Sequence, residues 1–174
     1  LVPTNMADDG IIVNEWLAED LGLAVGDPLE LSYYVINSGR RLEEHAATFK
    51  VLSVVPIQGA AADRDLMPLL PGLSDAGSCR DWDSGIPLDL SKVRAKDEEY
   101  WKLHRGTPKA FVTLAAGRKL WENRYGVLTA VRYPSQPLAV LSNGIQRALS
   151  PGTLGFVFRP VRQEGLRAAG QSVD

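Results

Sequence analysis

The stretch "LAEDLGLAVGDPLEL", Leu17 to Leu31, constrains the fold most, because it holds a helix end, a glycine-closed turn and a strand start in close succession. Just upstream, "GIIVNEW" gives a β-branched strand at Ile11–Val13 and then Asn14, a good N-cap. Glu15 suits the positive end of a helix dipole, and Val13, Leu17 and Leu21 recur at four-residue spacing. Gly22 then closes the helix, "VGD" turns the chain, and Gly22, Gly26 and Asp27 together form a structural corner. Pro28 can open a strand at a sheet edge, where no N–H is needed. Beyond it Leu29, Leu31 and Tyr33 alternate on one face, "NSGRR" reads as a hairpin tip, and "TFKVLSVVP" is the return strand, ended by Pro56.

Residues 57–95 change character. They are rich in Gly, Pro and Asp without a sustained period, which predicts a long surface excursion. Within it the pattern predicts one short helical turn near Leu66–Leu70 and a strand near Ile86–Leu90. Order returns at "KDEEYWKLHRGTP", which starts acidic and ends basic, as a helix dipole favours. This helix pairs Glu98 with Lys102, sets Tyr100, Trp101 and His104 on one side, and stops at Gly106 and Pro108. "KAFVTLAAGRKLWENRYGVLTAVRYP" reads as a β-α-β unit: a strand at Ala110–Thr113, a helix at Leu114–Glu122 with Leu120 and Trp121 inward, and a strand at Val127–Tyr133. A further helix follows Pro137, with Leu138, Leu141, Ile145, Ala148 and Leu149 on one face. A strand at Thr153–Val161 and a polar tail complete an α+β order with small mixed sheets and packed helices.

With 174 residues and 45% hydrophobic content the chain can bury a core, as one domain or two packed subdomains. Its apolar runs are far shorter than the roughly 20 residues that span a bilayer. No signal-like segment opens it, and because it starts at Leu1 rather than at a methionine it reads as a piece of something longer. Its one cysteine excludes an internal disulfide and a thiolate-rich zinc site, and two histidines, His45 and His104, argue against a His-rich metal site. The net charge of −2 conceals an acidic half, with 18 acidic and 8 basic side chains in residues 1–100, and a basic half, with 3 and 11 in residues 101–174. Mutual neutralisation of packed halves explains this better than an anionic partner.

Motifs for chemistry are weak. Cys79 with His104 is the minimal nucleophile pair, but no C-x-x-C context surrounds the cysteine. "DWDSGIPLD" partly matches a calcium loop through Asp81, Asp83 and Asp89, yet Gly85 comes one place early and Lys92 stands where a bidentate Glu belongs. These motifs therefore assign no catalytic residue, cofactor site or metal site. The basic half interleaves Trp101, Trp121, Tyr125 and Tyr133 with Lys102, Lys109, Arg118, Lys119, Arg124 and Arg132, but these aromatics fall mostly at inward positions, so core packing is preferred to nucleic-acid binding.

"IIVNEWLAEDLGLAVGDPLELSYY" followed by "TFKVLSVVP" resembles the FtsX-like (MacB-type) permeases of ABC transporters, whose extracytoplasmic domain shows a strand, "A-x-x-L-G-L-x-x-G-D", a strand and "F-x-V-x-G-V". "AFVTLAAGRKLWENRYGVLTAVRYP" resembles the later strand and "P-L-x-T-A-Q-x-L" helix start of that family in outline, with departures at Thr113, Ala116 and Gly117. The stretch from Met67 to Phe111 resembles an insertion in a subgroup of long permeases. The resemblance implies a MacB-like periplasmic core domain with a long irregular insertion: one extracytoplasmic domain over 1–174, divisible into 1–56 with 108–174 and an insertion at 57–107. It implies a non-enzymatic role, carrying ATP-driven motion from a cytoplasmic ATP-binding subunit to an envelope protein or lipoprotein partner. The full-length chain would be an inner-membrane protein and this part periplasmic or extracellular. Asp81, Trp82 and Asp83 are then a candidate partner surface, and Glu164–Asp174 a juxtamembrane stalk containing Arg167 and Gly170, with Arg162 just before it. Two other readings stay open: a soluble ligand- or metal-binding domain using the acidic 57–95 loop, and a nucleic-acid-binding module using the basic half.

Overall fold

The computed structural model describes residues 1–37, 41–67, 69–83, 88–123, 126–128, 130–133, 136–150 and 152. Strand β1 (Gly10–Asn14) leads into helix α1 (Glu15–Leu21); strands β2 (Pro28–Ile36) and β3 (Leu42–Val55) form a long hairpin. Helix α2 (Ala95–His104), strand β4 (Ala110–Phe111), helix α3 (Leu114–Trp121) and helix α4 (Leu138–Ala148) follow. The fold is thus mixed α and β. Its sheet runs in the order β2-β3-β1-β4, with β1 parallel to β3 and the other two pairings antiparallel.

This order explains the residue types. All five residues of β1 are buried, because the strand lies between β3 and β4 and so reads as a near-continuous apolar run. β2 lies at the edge, tolerates Pro28, and alternates exposed and half-buried residues. Ile11, Val13 and Val51 are fully buried; with Phe49, Ala18 of α1 and Ala116 of α3 they form the core. Full burial of each large aliphatic contributes roughly 1.5–3 kcal/mol.

The corner is built as its sequence suggests. Asn14 Oδ1 accepts from the Leu17 N–H at 2.9 Å and so caps α1. Gly22 is left-handed (φ 64°), and the Leu23 N–H reaches back to the Ala18 carbonyl at 2.9 Å, the long bond of a Schellman ending. Gly26 (φ 103°) donates its N–H to the Val51 carbonyl, and the Asp27 carbonyl accepts from the Val51 N–H. The Asp27 carboxylate accepts from the Ala24 N–H at 2.8 Å. The turn is therefore stitched both to itself and to β3. Around Gly22 and Gly26 a Cβ would meet open space, so substitution there tests backbone conformation alone. Gly22→Val and Gly26→Val are each expected to destabilise by roughly 1–2 kcal/mol, and Gly22→Asn by less. Urea midpoints measure this, and unchanged midpoints for both valine variants would remove the corner's structural role.

Several expectations need correction. The strand near Ile86–Leu90 is not formed at its described end: Leu90 opens a single 3-10 turn, Leu90–Lys92, which the Asp89 carboxylate caps by accepting from the Ser91 N–H. The helical turn expected near Leu66–Leu70 lies earlier, at Arg64–Leu66, where the Asp63 side chain caps it. No strand forms over the described residues of 127–133; Gly126 makes an isolated antiparallel bridge to Asn123, and Val127, Leu128, Val131 and Tyr133 are exposed. β-branched alternation predicts a strand only where a sheet edge receives it. The β4 strand is likewise shorter than Ala110–Thr113, since Thr113 caps α3 by accepting from the Ala116 N–H. The excursion over 57–95 is mostly irregular and exposed, but Ala61 and Cys79 are buried.

Residues Leu1–Val131 and Arg132–Asp174 form two compact units. The described part of the second holds α4, whose Leu138, Val140 and Ile145 side chains are more than half exposed. The strand expected at Thr153–Val161 and the stalk with Arg162, Arg167 and Gly170 lie outside the described residues. Among the described residues no helix is long and apolar enough to cross a membrane.

Candidate functional site

The excursion and α2 are tied to the sheet at one buried point. Asn14 at the end of β1 is fully buried; its Nδ2 donates to the Tyr100 hydroxyl at 3.0 Å, and that hydroxyl donates to the Thr107 carbonyl at 2.9 Å. The Asn14 backbone N–H donates to the Lys109 carbonyl. A single residue thus caps α1 and anchors α2 through its side chain and meets the start of β4 through its backbone. Burial pushes the Tyr100 phenol up, against the smaller opposing pull of its hydrogen bond with Asn14.

Ion pairs reinforce this point. Arg94 forks onto the nearly buried carboxylate of Asp20 in α1, at 3.1 and 2.7 Å, and also binds both oxygens of Asp97, while Lys96 contacts Asp20. Lys109 stands 3.8 Å from Asp97, with its ammonium 3.6 Å from the Trp16 ring centroid and 4.6 Å from that of Tyr100. Its burial lowers the ammonium's pKa, and Asp97 partly offsets this. The Arg94 hydrogen bond chiefly holds the Asp97 carboxyl at about 2, below its ordinary 3.8. This carboxylate therefore favours the folded state above pH 4, and that contribution is lost as pH falls from about 4 to about 2. After discounting for partial exposure it is on the order of 1 kcal/mol. The stability gap between wild type and Asp97→Asn should accordingly narrow between pH 6 and pH 2, measured by urea midpoints. A gap that stays constant over that range would show that the charge is not the source.

Cys79 is buried, and its thiol is pushed up to about 11 by burial first and then by Glu98, the reverse of nucleophile activation. Glu98 Oε2 accepts from the Cys79 N–H at 3.0 Å, and bonding with Ser78 is the main cause of its lowered pKa. The expected Glu98–Lys102 attraction is only the weakest of its influences. His104 packs its ring on Tyr100 at 4.9 Å. Asp81 and Asp83 are exposed, whereas Trp82 between them turns inward and meets Trp101 edge-on at 5.1 Å. Among the described residues no group of three or more His, Cys, Asp or Glu side chains could hold a metal ion.

Sequence reasoning found Asn14 as a cap but missed its second partner, and it missed Arg94 and Asp20 entirely. An asparagine following three β-branched residues was the available signal, since a polar residue ending a buried run needs partners for both ends of its amide. Tyr33 likewise contacts Trp121 at 5.3 Å, so the inward reading of Trp121 has a definite counterpart on β2. No family model, curated protein or solved structure matches the chain.

Proposed function

We propose that the chain is the extracytoplasmic domain of an FtsX-like, MacB-type ABC transporter permease, and that it carries ATP-driven motion to a partner in the cell envelope. The observation that carries this reading is the corner. The words "A-E-D-L-G-L-A-V-G-D" and "F-K-V-L-S-V-V" on which the resemblance rests are joined to each other by the Gly26 and Asp27 hydrogen bonds to Val51. A helix, a turn and two strands linked in that way move as one body, which a force-transmitting part requires. The ATP-binding subunit would act through the membrane part of the full-length chain. Export, lipoprotein handling and signalling all fit this mechanical role.

In the full-length protein the reading requires apolar segments of about 20 residues on both sides of this domain and co-purification with an ATPase subunit. Absence of both would refute it. The stalk is tested by a Gly-Ser insertion between Gly170 and Gln171, expected to leave the domain's melting temperature unchanged while lowering ATP-coupled output. The acidic pair is tested by Asp81→Ala with Asp83→Ala, expected to weaken capture of the envelope partner without loss of stability.

A further inference from the structure

Beside α2 lies a cavity of about 550 Å³, walled by Trp82, Tyr100, Trp101, Met67 and Val93 among others. That volume falls within the range of small-molecule sites, which combine an apolar wall with a few placed polar groups. Trp82 and Trp101 stand at 81° to each other, so a flat ring can stack on one and meet the edge of the other. The charged groups lining the cavity are Lys92, Arg105 and Lys109 against Asp97, and both Asp97 oxygens are already taken by Arg94. The lining therefore carries an excess of positive charge.

Two further observations point to an acceptor. The Trp82 indole N–H is buried without a hydrogen-bond partner among the described residues. Arg105 is the one non-glycine residue with positive φ (54°) among the described residues, a strained conformation of the kind found at ligand sites. Its Nη1 donates to the Ala76 and Gly77 carbonyls, its guanidinium lies 5.8 Å from the Trp101 ring centroid, and it makes no ion pair among the described residues. The fork is thereby held in place with donors to spare.

We infer that this cavity binds a small aryl carboxylate, its ring seated in the corner that Trp82 and Trp101 form, its carboxylate paired with Arg105 and offering an acceptor to the Trp82 indole N–H. This inference is independent of the transporter reading. The test is titration of the full chain with 2-naphthoate, with its neutral counterpart 2-naphthalenemethanol and with decanoate, followed by the indole N–H resonances in nitrogen-15 spectra. The Trp82 signal is assigned by its loss in Trp82→Phe. Naphthoate should shift that signal saturably at one per chain, at least tenfold more tightly than the alcohol or decanoate. Arg105→Gln should bring naphthoate down to the alcohol's affinity. Because Arg105 sits in a strained turn, Trp82→Phe serves as the second variant: it keeps an aromatic ring, drops the donor and should weaken naphthoate about fivefold, read at the Trp101 indole N–H resonance. The inference is overturned by no saturable shift in the folded wild type, by equal affinities for acid and alcohol, by decanoate binding as tightly, or by unchanged naphthoate affinity in Trp82→Phe.

Discussion

Asn14→Ala is expected to destabilise the protein by about 3 kcal/mol, composed of a lost helix cap of roughly 1–2 kcal/mol, a lost buried hydrogen bond of about 1 kcal/mol and a small void. In a chain of this size each kcal/mol corresponds to roughly 2–4 °C, so the melting temperature should fall by about 6–12 °C. The expectation follows from full burial together with two-ended use of one amide: Oδ1 holds the Leu17 N–H and Nδ2 holds the Tyr100 hydroxyl. Tyr100→Phe removes the second partner but leaves the cap, so it should cost less than half as much. The two sites are in contact, and a double-mutant cycle should return a coupling of at least about 0.5 kcal/mol. A shift under 2 °C for Asn14→Ala, or strict additivity in the cycle, would mean that α2 is anchored elsewhere.

The contrast between the two ends of Asn14 shows what could be read from the sequence. Its bond to Leu17 spans three residues and is announced by the order of residue types around it. Its bond to Tyr100 spans 86 positions, and no local pattern encodes it. The same divide runs through the chain. Gly22, Gly26, Asp27, Pro28 and the β2–β3 hairpin were legible because caps, left-handed turns and period-two alternation are local physics. The strand placed over 127–133 failed because a β-rich run becomes a strand only if a neighbour offers an edge, and the sequence does not specify the sheet order. Asp63, Ser78 and Asp89 each bond the N–H two residues on and set a short 3-10 turn; all three were visible as turn formers in an excursion assigned no local structure beyond one turn and one strand. At the candidate site, "D-W-D" looked like a surface word, and its two acids are exposed. The tryptophan between them is drawn in by Trp101, a partner nineteen residues away that only the fold brings close.

Trp101→Ala is expected to cost about 3–5 kcal/mol locally, the range for truncating a large buried aromatic, yet to leave the sheet intact. Trp101 is buried on the side of α2 that faces the excursion: its indole N–H donates to the Ala76 carbonyl at 3.1 Å, its ring meets Trp82, and Arg105 lies over it. Tyr100, one residue away, instead serves the sheet through Asn14. Neighbouring residues of one helix thus hold two different bodies, and removing one should release only its own. Hydrogen exchange should then accelerate at the amides of Cys79, which is held by Glu98, and of Asp83, which is held by the Gly72 carbonyl. The Gly26 and Val51 amides, which join the corner to β3, should keep their protection. The thiol supplies a second readout, because burial is the first cause of the Cys79 pKa of about 11. Opening the excursion should return that pKa towards its ordinary value and raise the rate of reaction with a disulfide reagent at pH 8 by at least tenfold. Equal loss of protection in the corner and the excursion would show that the two unfold together. An unreactive Cys79 in the folded variant would show that Trp101 is not what closes the excursion over it.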